Sequence, residues 1–167
     1  ARKAGASEVV STDPSSFRRA KAGALGFVAL TDDEAWQYIK ARWHDGTMGR
    51  GADIVFQTRA SAESLHLAMK ALRPQGVVID LAFYQGGSPE LRLGEEFHHN
   101  GLSIKCAQIN RVPRGLSASW DRRRLAANTV EVLRCDGQAI RDHLITDIVP
   151  MSDGPVFLRS LIDNRPD

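Results

Sequence analysis

The chain's densest group of potential metal ligands is His98-His99 with Glu95 and Glu96 close by. Histidine nitrogens and carboxylate oxygens are common ligands of zinc. Adjacent residues on a helix point about 100° apart, however, so His98 and His99 do not easily share one ion. No third ligand follows at a convincing spacing. The sequence therefore favours a surface feature here, and we assign neither a metal site nor a catalytic residue from it.

A basic cluster could instead contact nucleic acid. It consists of Arg122-Arg123-Arg124, with Arg111 and Arg114 nearby. Acidic residues are interspersed elsewhere, and the formal net charge is only +2, which is too small to indicate nucleic-acid binding. We predict a solvated helix face and no nucleic-acid partner.

Composition indicates one ordinary soluble domain. The chain has 167 residues, of which 43% are hydrophobic and 25% charged, enough for a single core. No apolar run approaches the ~18 residues of a membrane span, and the first residues lack a secretory signal. Cys106 and Cys135 fit no metal spacing and no disulfide framework. We expect a cytoplasmic protein with free thiols and no membrane partner.

Short β-branched runs alternate with longer helical stretches, which predicts an α/β fold with a mainly parallel sheet. Thr31 and Ser61 are predicted N-caps, and Pro74 is predicted to end the helix that Ser61 starts. The predicted strands span residues 8–11, 27–30, 53–57, 77–81, 102–109 and 144–149. The predicted helices span 18–24, 31–43, 61–74, 121–134 and 152–162.

Three segments carry a resemblance to a known family. Residues 51–87 (GADIVFQTRASAESLHLAMKALRPQGVVIDLAFYQGG) resemble the later strands of medium-chain dehydrogenase cofactor domains. Residues 91–100 (LRLGEEFHHN) resemble a subgroup that includes zinc-type sorbitol and threonine dehydrogenases and bacteriochlorophyllide dehydrogenases. Residues 144–150 resemble the segment that returns toward the catalytic domain. The likeness covers nearly the whole chain.

The resemblance implies a Rossmann-like, doubly wound parallel sheet that is incomplete. The glycine-rich phosphate loop should precede the strand at 8–11, and the first strand and that loop are expected to be missing. Gly46, Gly49 and Gly51 do not supply the loop, because their spacing is G-x-x-G-x-G rather than G-x-G-x-x-G. We expect a partial NAD(P)-binding domain over 1–148 and a segment over 149–167 that leads toward an absent catalytic domain.

The missing first strand has a physical consequence. In the strand order 3-2-1-4-5-6 it lies in the middle of the sheet, so the strands at 8–11 and 53–57 would face an empty slot. Residues 1–6 are then the tail of the first crossover helix, with Gly5 as its stop. We expect the isolated chain to be marginally stable and to bind NAD weakly or not at all.

The resemblance also implies residues that hold the cofactor. Asp13 follows the first strand, where an acidic residue accepts hydrogen bonds from the adenosine ribose. It would repel a 2′-phosphate, so NAD is favoured and NADP is less expected. Arg18 matches the basic position beside that ribose. Arg19 and Ser15 weaken the preference for NAD, since a neighbouring arginine can accommodate a phosphate. The alternative for Asp13 is a plain Asp-Pro turn.

Residues after the later strands should line the cofactor cleft, because ligands bind at the carboxyl ends of parallel strands. Arg59 departs from the family pattern and could reach a phosphate or be solvated. For each of the remaining candidates, core packing or a plain loop is the alternative interpretation. The candidates are Ala60 after one strand, Leu81, Ala82 and Phe83 after the next, and Gln108 and Ile109 after the last.

The expected activity is hydride transfer between a secondary alcohol or polyol and NAD. By resemblance, zinc held in the absent catalytic domain would assist it, and the complete enzyme would be a homo-oligomer. The chain alone is expected to be inactive. The substrate stays open among polyols, threonine and a bacteriochlorophyll precursor. The alternative is a non-catalytic nucleotide-binding or interaction module.

Overall fold

The computed structural model describes residues 1–46, 49–88, 91–108 and 111–163. A 3-10 turn at Arg2–Ala4 comes first, and short 3-10 turns also lie at Arg114–Leu116 and Met151–Asp153. The strands are β1 (Val10–Thr12), β2 (Val28–Leu30), β3 (His44–Asp45), β4 (Gly49–Arg50), β5 (Ala52–Gln57), β6 (Leu72–Asp80) and β7 (Ser103–Cys106). The helices are α1 (Ser16–Ala24), α2 (Asp32–Arg42), α3 (Ala62–Ala71), α4 (Glu96–His99), α5 (Arg122–His143) and α6 (Gly154–Asp163).

The sheet is divided into two parallel parts. Strand β1 pairs with β2, while β5, β6 and β7 pair in that order, and every one of these pairs is parallel. A small antiparallel pair, β3–β4, precedes β5. Strands β1 and β5 do not pair with each other. This arrangement confirms the α/β fold and the break that was predicted between the first and the later strands.

Side-chain caps start the helices where the sequence predicts. Thr31 accepts a hydrogen bond from the Glu34 amide, and the Glu34 carboxylate accepts one from the Thr31 amide, which completes a capping box. Hydrogen bonds from Thr31 also lower the pKa of Glu34. Ser61 caps α3 and Asp121 caps α5. Gly5 ends the first turn in a left-handed conformation, as expected of a helix stop.

The core lies where α2 and α3 pack on β5, β6 and β7. Leu65 and Met69 follow the helical spacing of α3, and both are buried. Leu72 and Val78 of β6 are also buried, and Trp36 of α2 packs against this cluster. Helix α3 therefore contributes its apolar side chains to the core.

The junction of α3 and β6 differs from the prediction. The helix ends at Ala71, three residues before Pro74, and the strand begins at Leu72. Proline disfavours the helical region for the residue before it, so Arg73 is extended and the chain turns early. Strand β6 is consequently longer than the predicted 77–81.

The carboxyl-terminal third of the chain also differs from the sequence-based prediction. Helix α5 continues to His143 rather than ending at Arg134, because Gly137 costs only about 1 kcal/mol within a helix. No strand forms among residues 144–149: the amides of Leu144 and Ile145 bond back to the carbonyl of Ile140. Leu125, Val130, Val132 and Leu133 of α5 have exposed side chains. None of the described helices is long and apolar enough to cross a bilayer.

Candidate functional site

Asp32 joins the carboxyl ends of β1 and β5. Its carboxylate accepts a 3.0 Å hydrogen bond from the hydroxyl of Thr12, the last residue of β1. The other carboxylate oxygen lies 2.7 Å from Nη1 of Arg59, two residues beyond β5. Arg59 is therefore paired in this structure rather than simply solvated. Because Asp32 is the first residue of α2, the amino end of that helix lies at this edge of the sheet.

Trp43 joins the opposite ends of the same two strands. Its indole nitrogen donates a 2.6 Å hydrogen bond to Glu8, just before β1. Its carbonyl accepts a 2.8 Å hydrogen bond from the amide of Gly51, just before β5. Trp43 is the C-cap of α2. The carboxyl end of α2 therefore lies at the amino ends of β1 and β5, and its amino end lies at their carboxyl ends. Strands β1 and β5 therefore run in the same direction.

A groove of about 730 Å³ lies between β1 and β5. We call this the strand groove; α2 contributes Ala35, Trp36 and Ile39 to its lining. On β5, Ile54 is 51% exposed and Phe56 is 55% exposed, and both line the groove. The eleven residues of α2 span about 16 Å at ~1.5 Å each, which matches a strand of about five residues at ~3.3 Å each. The groove is therefore long enough for one parallel strand of about five residues.

Asp13, the predicted ribose ligand, lies directly after β1. Its Oδ1 accepts a 2.8 Å hydrogen bond from the amide of Ser15, while Oδ2 is 3.7 Å from Nη1 of Arg18. Ser15 caps α1. Nη1 of Arg19 donates to the carbonyls of Asp13 and Pro14 at 2.8 and 2.7 Å. The turn thus positions one carboxylate oxygen beside the exposed Arg18, and the guanidinium of Arg19 is bound to backbone.

Two buried polar side chains organise the next two strand ends, and sequence analysis missed both. Gln57 and Asp80 are opposite each other in the β5–β6 register, with only 6% and 8% of their surfaces exposed. Gln57 donates to the carbonyl of Arg59 at 2.9 Å, and Asp80 accepts from the amide of Ala82 at 3.0 Å. The signal that could have identified Gln57 and Asp80 is their position: each is a polar residue at the carboxyl end of an apolar strand.

The structure places the residues predicted to line the cofactor cleft in neighbouring loops. Leu81 and Phe83 follow β6 with exposed side chains, and the amide of Leu81 bonds to the Gln57 carbonyl. Ala82 lies between them, Ala60 follows β5, and Gln108 follows β7. Ile109 lies outside the described residues. The adjacent order of β5, β6 and β7 brings these loops to one edge, whereas Asp13 and Arg18 lie across the strand groove.

Tyr84 gives this edge a measurable titration. Burial raises the pKa of the Tyr84 phenol, and the neighbouring Asp80 carboxylate raises it further, although a hydrogen bond with Gln57 lowers it. Because the pKa of Tyr84 is higher in the folded protein, the neutral phenol favours the folded state. This contribution to folding stability is fully present below the ordinary tyrosine pKa of about 10. It is lost as pH rises through the folded value.

We therefore expect Tyr84 to ionise at higher pH in the folded protein than in urea. In a Tyr38→Phe variant, the absorbance of tyrosinate reports Tyr84 alone, since the chain has two tyrosines. Asp80→Asn should bring the midpoint partly back. Equal midpoints in the folded and unfolded protein would contradict this placement of Tyr84.

The carboxyl edge supplies no zinc site among the described residues. Within those ranges, one group of three histidine, cysteine or acidic side chains has ligand atoms close enough for a metal: His66, Glu95 and Glu96. These residues belong to α3 and the start of α4 rather than to the loops after the strands.

The chain is similar to known dehydrogenases in sequence and in fold. D-guloside 3-dehydrogenase of Escherichia coli (strain K12) is 26% identical over 170 residues, covering 100% of this chain and 47% of that protein. The chain thus spans about half the length of the curated relatives it matches. The structure of an alcohol dehydrogenase from Thermotoga maritima superimposes with a TM-score of 0.65 at 19% identity, covering 84% of this chain and 36% of that chain.

A second solved structure has the same fold. Benzyl alcohol dehydrogenase from Acinetobacter calcoaceticus gives a TM-score of 0.62 at 19% identity, covering 87% of this chain and 37% of that chain. At these identities the two structures show a shared Rossmann-like fold and no more. A family model described as zinc-binding dehydrogenase matches residues 1–121, well over half of the 167 residues. The chain therefore belongs to the zinc-binding dehydrogenase family.

Proposed function

We propose that this chain is the nicotinamide-cofactor-binding part of a dehydrogenase that oxidises a secondary alcohol. In that reaction the alcohol carbon gives a hydride to the nicotinamide and the alcohol oxygen loses a proton, leaving a ketone, the reduced cofactor and one proton. NAD is the favoured cofactor. The domain would extend over 1–148, and 149–167 would lead toward the part that binds the alcohol.

The observation that carries the proposal is the position of Asp13 beside the strand groove. Its carboxylate follows β1 at the carboxyl edge, where dinucleotides bind in open parallel sheets. One oxygen is fixed by the Ser15 amide, which leaves Oδ2 to accept from a ribose hydroxyl. Arg19 is bound to two backbone carbonyls and is poorly placed for a 2′-phosphate. Both features support NAD over NADP.

The other predicted contacts have separate roles in this proposal. Leu81 and Phe83 offer exposed apolar side chains against which the nicotinamide ring would pack, and Ala82 and Ala60 leave room for it. Gln108, with Ile109, would close the side of the cleft at β7. Arg18 would lie along the adenosine ribose. None of these groups moves a proton, so the acid–base step is assigned to no residue of this chain.

A sugar or polyol is the substrate class that we favour. It rests on the similarity of this chain, over its full length, to a protein named D-guloside 3-dehydrogenase. That the complete enzyme is zinc-assisted and a homo-oligomer remains an expectation from the resemblance. No described residue at the carboxyl edge is assigned to zinc.

Replacing Asp13 tests the cofactor assignment. Asp13→Asn keeps an oxygen for the Ser15 amide but removes the charge that repels a 2′-phosphate. We expect the preference for NADH over NADPH to fall at least about tenfold, equal to roughly 1.4 kcal/mol. The measurement is a fluorescence titration with each cofactor, carried out on a chain whose strand groove is filled by an amino-terminal extension of one strand, a G-x-G-x-x-G turn and a helix.

Asp33→Asn is the matched control, because Asp33 is an exposed acid in the first turn of α2. It should leave the preference unchanged. If Asp13→Asn also leaves it unchanged, Asp13 does not bind the ribose, and the turn is structural.

The open strand edges also favour a second candidate, an interaction module that pairs through β1 or β5. Unpaired edges are ready templates for another strand. Light scattering separates the two functions. A dimer that is stable without cofactor would favour the interaction module if NADH neither binds to it nor dissociates it.

A further inference from the structure

A histidine and two glutamates meet where α4 packs against α3. His66 lies in the middle of α3, and Glu95 and Glu96 lie at the start of α4. One side-chain nitrogen or oxygen from each residue lies within 4.8 Å of the other two. Nε2 of His66 is 3.8 Å from Oε2 of Glu95. We call these three residues the His66 cluster.

Two atoms of the His66 cluster are buried without a hydrogen-bond partner in the described part of the chain. They are Nδ1 of His66 and Oε2 of Glu96. The His66 side chain is only 16% exposed. An unsatisfied buried polar atom typically costs about 1–3 kcal/mol, and native proteins keep few of them. An ion bound by Oε2 of Glu96 would give that atom a partner. An imidazole binds one ion through one ring nitrogen, so Nδ1 gains a partner only where it, rather than Nε2, is the ligand.

The charged neighbours leave the cluster available to a cation. Arg92 binds Oε1 of Glu95 at 3.2 Å, so Oε2 is the oxygen that faces His66. Lys40 is the other charge near Glu96: burial lowers its pKa, and Glu96 opposes that shift. The Lys40 ammonium donates to the carbonyls of Leu72 and Arg50. Neither cation satisfies Oε2 of Glu96.

The distances suit a first-row transition ion after a small adjustment. Ligand atoms about 2.0–2.1 Å from a tetrahedral zinc lie roughly 3.3 Å apart. The present separations of up to 4.8 Å must therefore close by about 1.5 Å at most. The Glu95 side chain is 46% exposed and can rotate to do so. Three protein ligands and one water make an ordinary zinc coordination set.

We propose that His66, Glu95 and Glu96 bind one divalent transition-metal ion, with zinc as the ion to test. The ion takes lone pairs from an imidazole nitrogen and two carboxylate oxygens. It links α4 to α3 and so fixes the segment that enters β7. This site lies beyond the proposed function, since no dinucleotide contact depends on it.

Zinc binding to the full chain tests the proposal directly. The chain is treated with chelator, the exposed Cys106 and Cys135 are replaced by serine, and zinc is titrated by calorimetry. We expect one zinc per chain and a thermal midpoint that rises with zinc concentration. Glu96→Gln and His66→Gln should each weaken binding at least about tenfold, as the loss of groups that hold a metal does.

His98→Gln is the matched control, because this neighbouring histidine of α4 is exposed and lies outside the cluster. It should bind zinc as the parent does. Absence of zinc binding overturns the proposal, and so does equal affinity in the Glu96→Gln and parent proteins. If His66→Gln fails to fold by circular dichroism, the isosteric Glu96→Gln variant decides. Loss of binding in the His98→Gln variant instead would move the site to the surface of α4 and also overturn it.

Discussion

An amino-terminal extension that fills the strand groove should raise the thermal midpoint of this chain, by about 2–4 °C for each kcal/mol of stability that it adds. The extension consists of a five-residue valine/isoleucine strand, a G-x-G-x-x-G turn and a helix that leads into Ala1. The turn at Arg2–Ala4 already ends like a helix, with left-handed Gly5 as its stop. The new strand would lie between β1 and β5 and join the two parts of the sheet.

The size of this effect follows from the surface that the strand covers. Burying the exposed halves of Ile54 and Phe56 contributes about 1 kcal/mol each, and each new valine or isoleucine contributes about 2 kcal/mol. Ladder hydrogen bonds add roughly 1 kcal/mol each, against an ordering cost of about 1–2 kcal/mol per residue. The ordering cost also applies to the added turn and helix, so the net gain is a small difference between large opposing contributions. Each 1 kcal/mol of that gain raises the midpoint by about 2–4 °C in a domain of this size.

Calorimetry on the extended and parent chains measures the effect. The matched control carries proline at the centre of the added strand, where it removes a ladder donor. It should give little or no increase. The extension should also produce NADH binding, because the turn presents backbone amides to the pyrophosphate at a helix amino terminus. An equal midpoint for both extensions would show that the groove does not accept a strand.

Local sequence signals were sufficient for most of the helices and for the longer parallel strands. Thr31 and Ser61 cap helices because a hydroxyl followed by a helical apolar pattern specifies its own backbone partner. The β-branched runs at 53–57 and 77–81 form parallel strands as predicted. By contrast, the apolar run at 144–149 forms no strand in the described structure, because a strand needs a neighbouring edge, which local sequence does not specify.

The connections between distant segments could not be predicted in the same way. Asp32 follows the predicted cap Thr31 in sequence, yet it also joins Thr12, 20 positions earlier, to Arg59, 27 positions later. His66 had the ordinary pattern of a helix residue and lies 29 positions before Glu95 in the sequence, so the search for a third ligand near His98 could not find it. Such groups depend on how α3 packs against α4, which is a property of the whole fold.

Gly51→Ala should lower the free energy of unfolding by roughly 3–4 kcal/mol. Gly51 has a φ of +128°, a conformation that costs an L side chain about 1–3 kcal/mol. An added Cβ would lie 2.4 Å from the Arg73 nitrogen, 2.5 Å from the Leu72 carbonyl carbon and 2.7 Å from the Ala71 oxygen. These are backbone atoms at the α3–β6 junction, so they cannot rotate away, and overpacking adds about 1–3 kcal/mol.

Urea unfolding of this variant beside Gly137→Ala separates the local clash from a general effect of replacing glycine. Gly137 lies inside α5, and an added Cβ there meets nothing within 4 Å, so Gly137→Ala should stabilise the protein by about 0.5–1 kcal/mol. Opposite signs are expected because one position is closed by backbone and the other is open. If Gly51→Ala proved neutral, β5 could not enter the sheet as closely as it does beside Leu72, and the amino end of the strand groove would be wrongly placed.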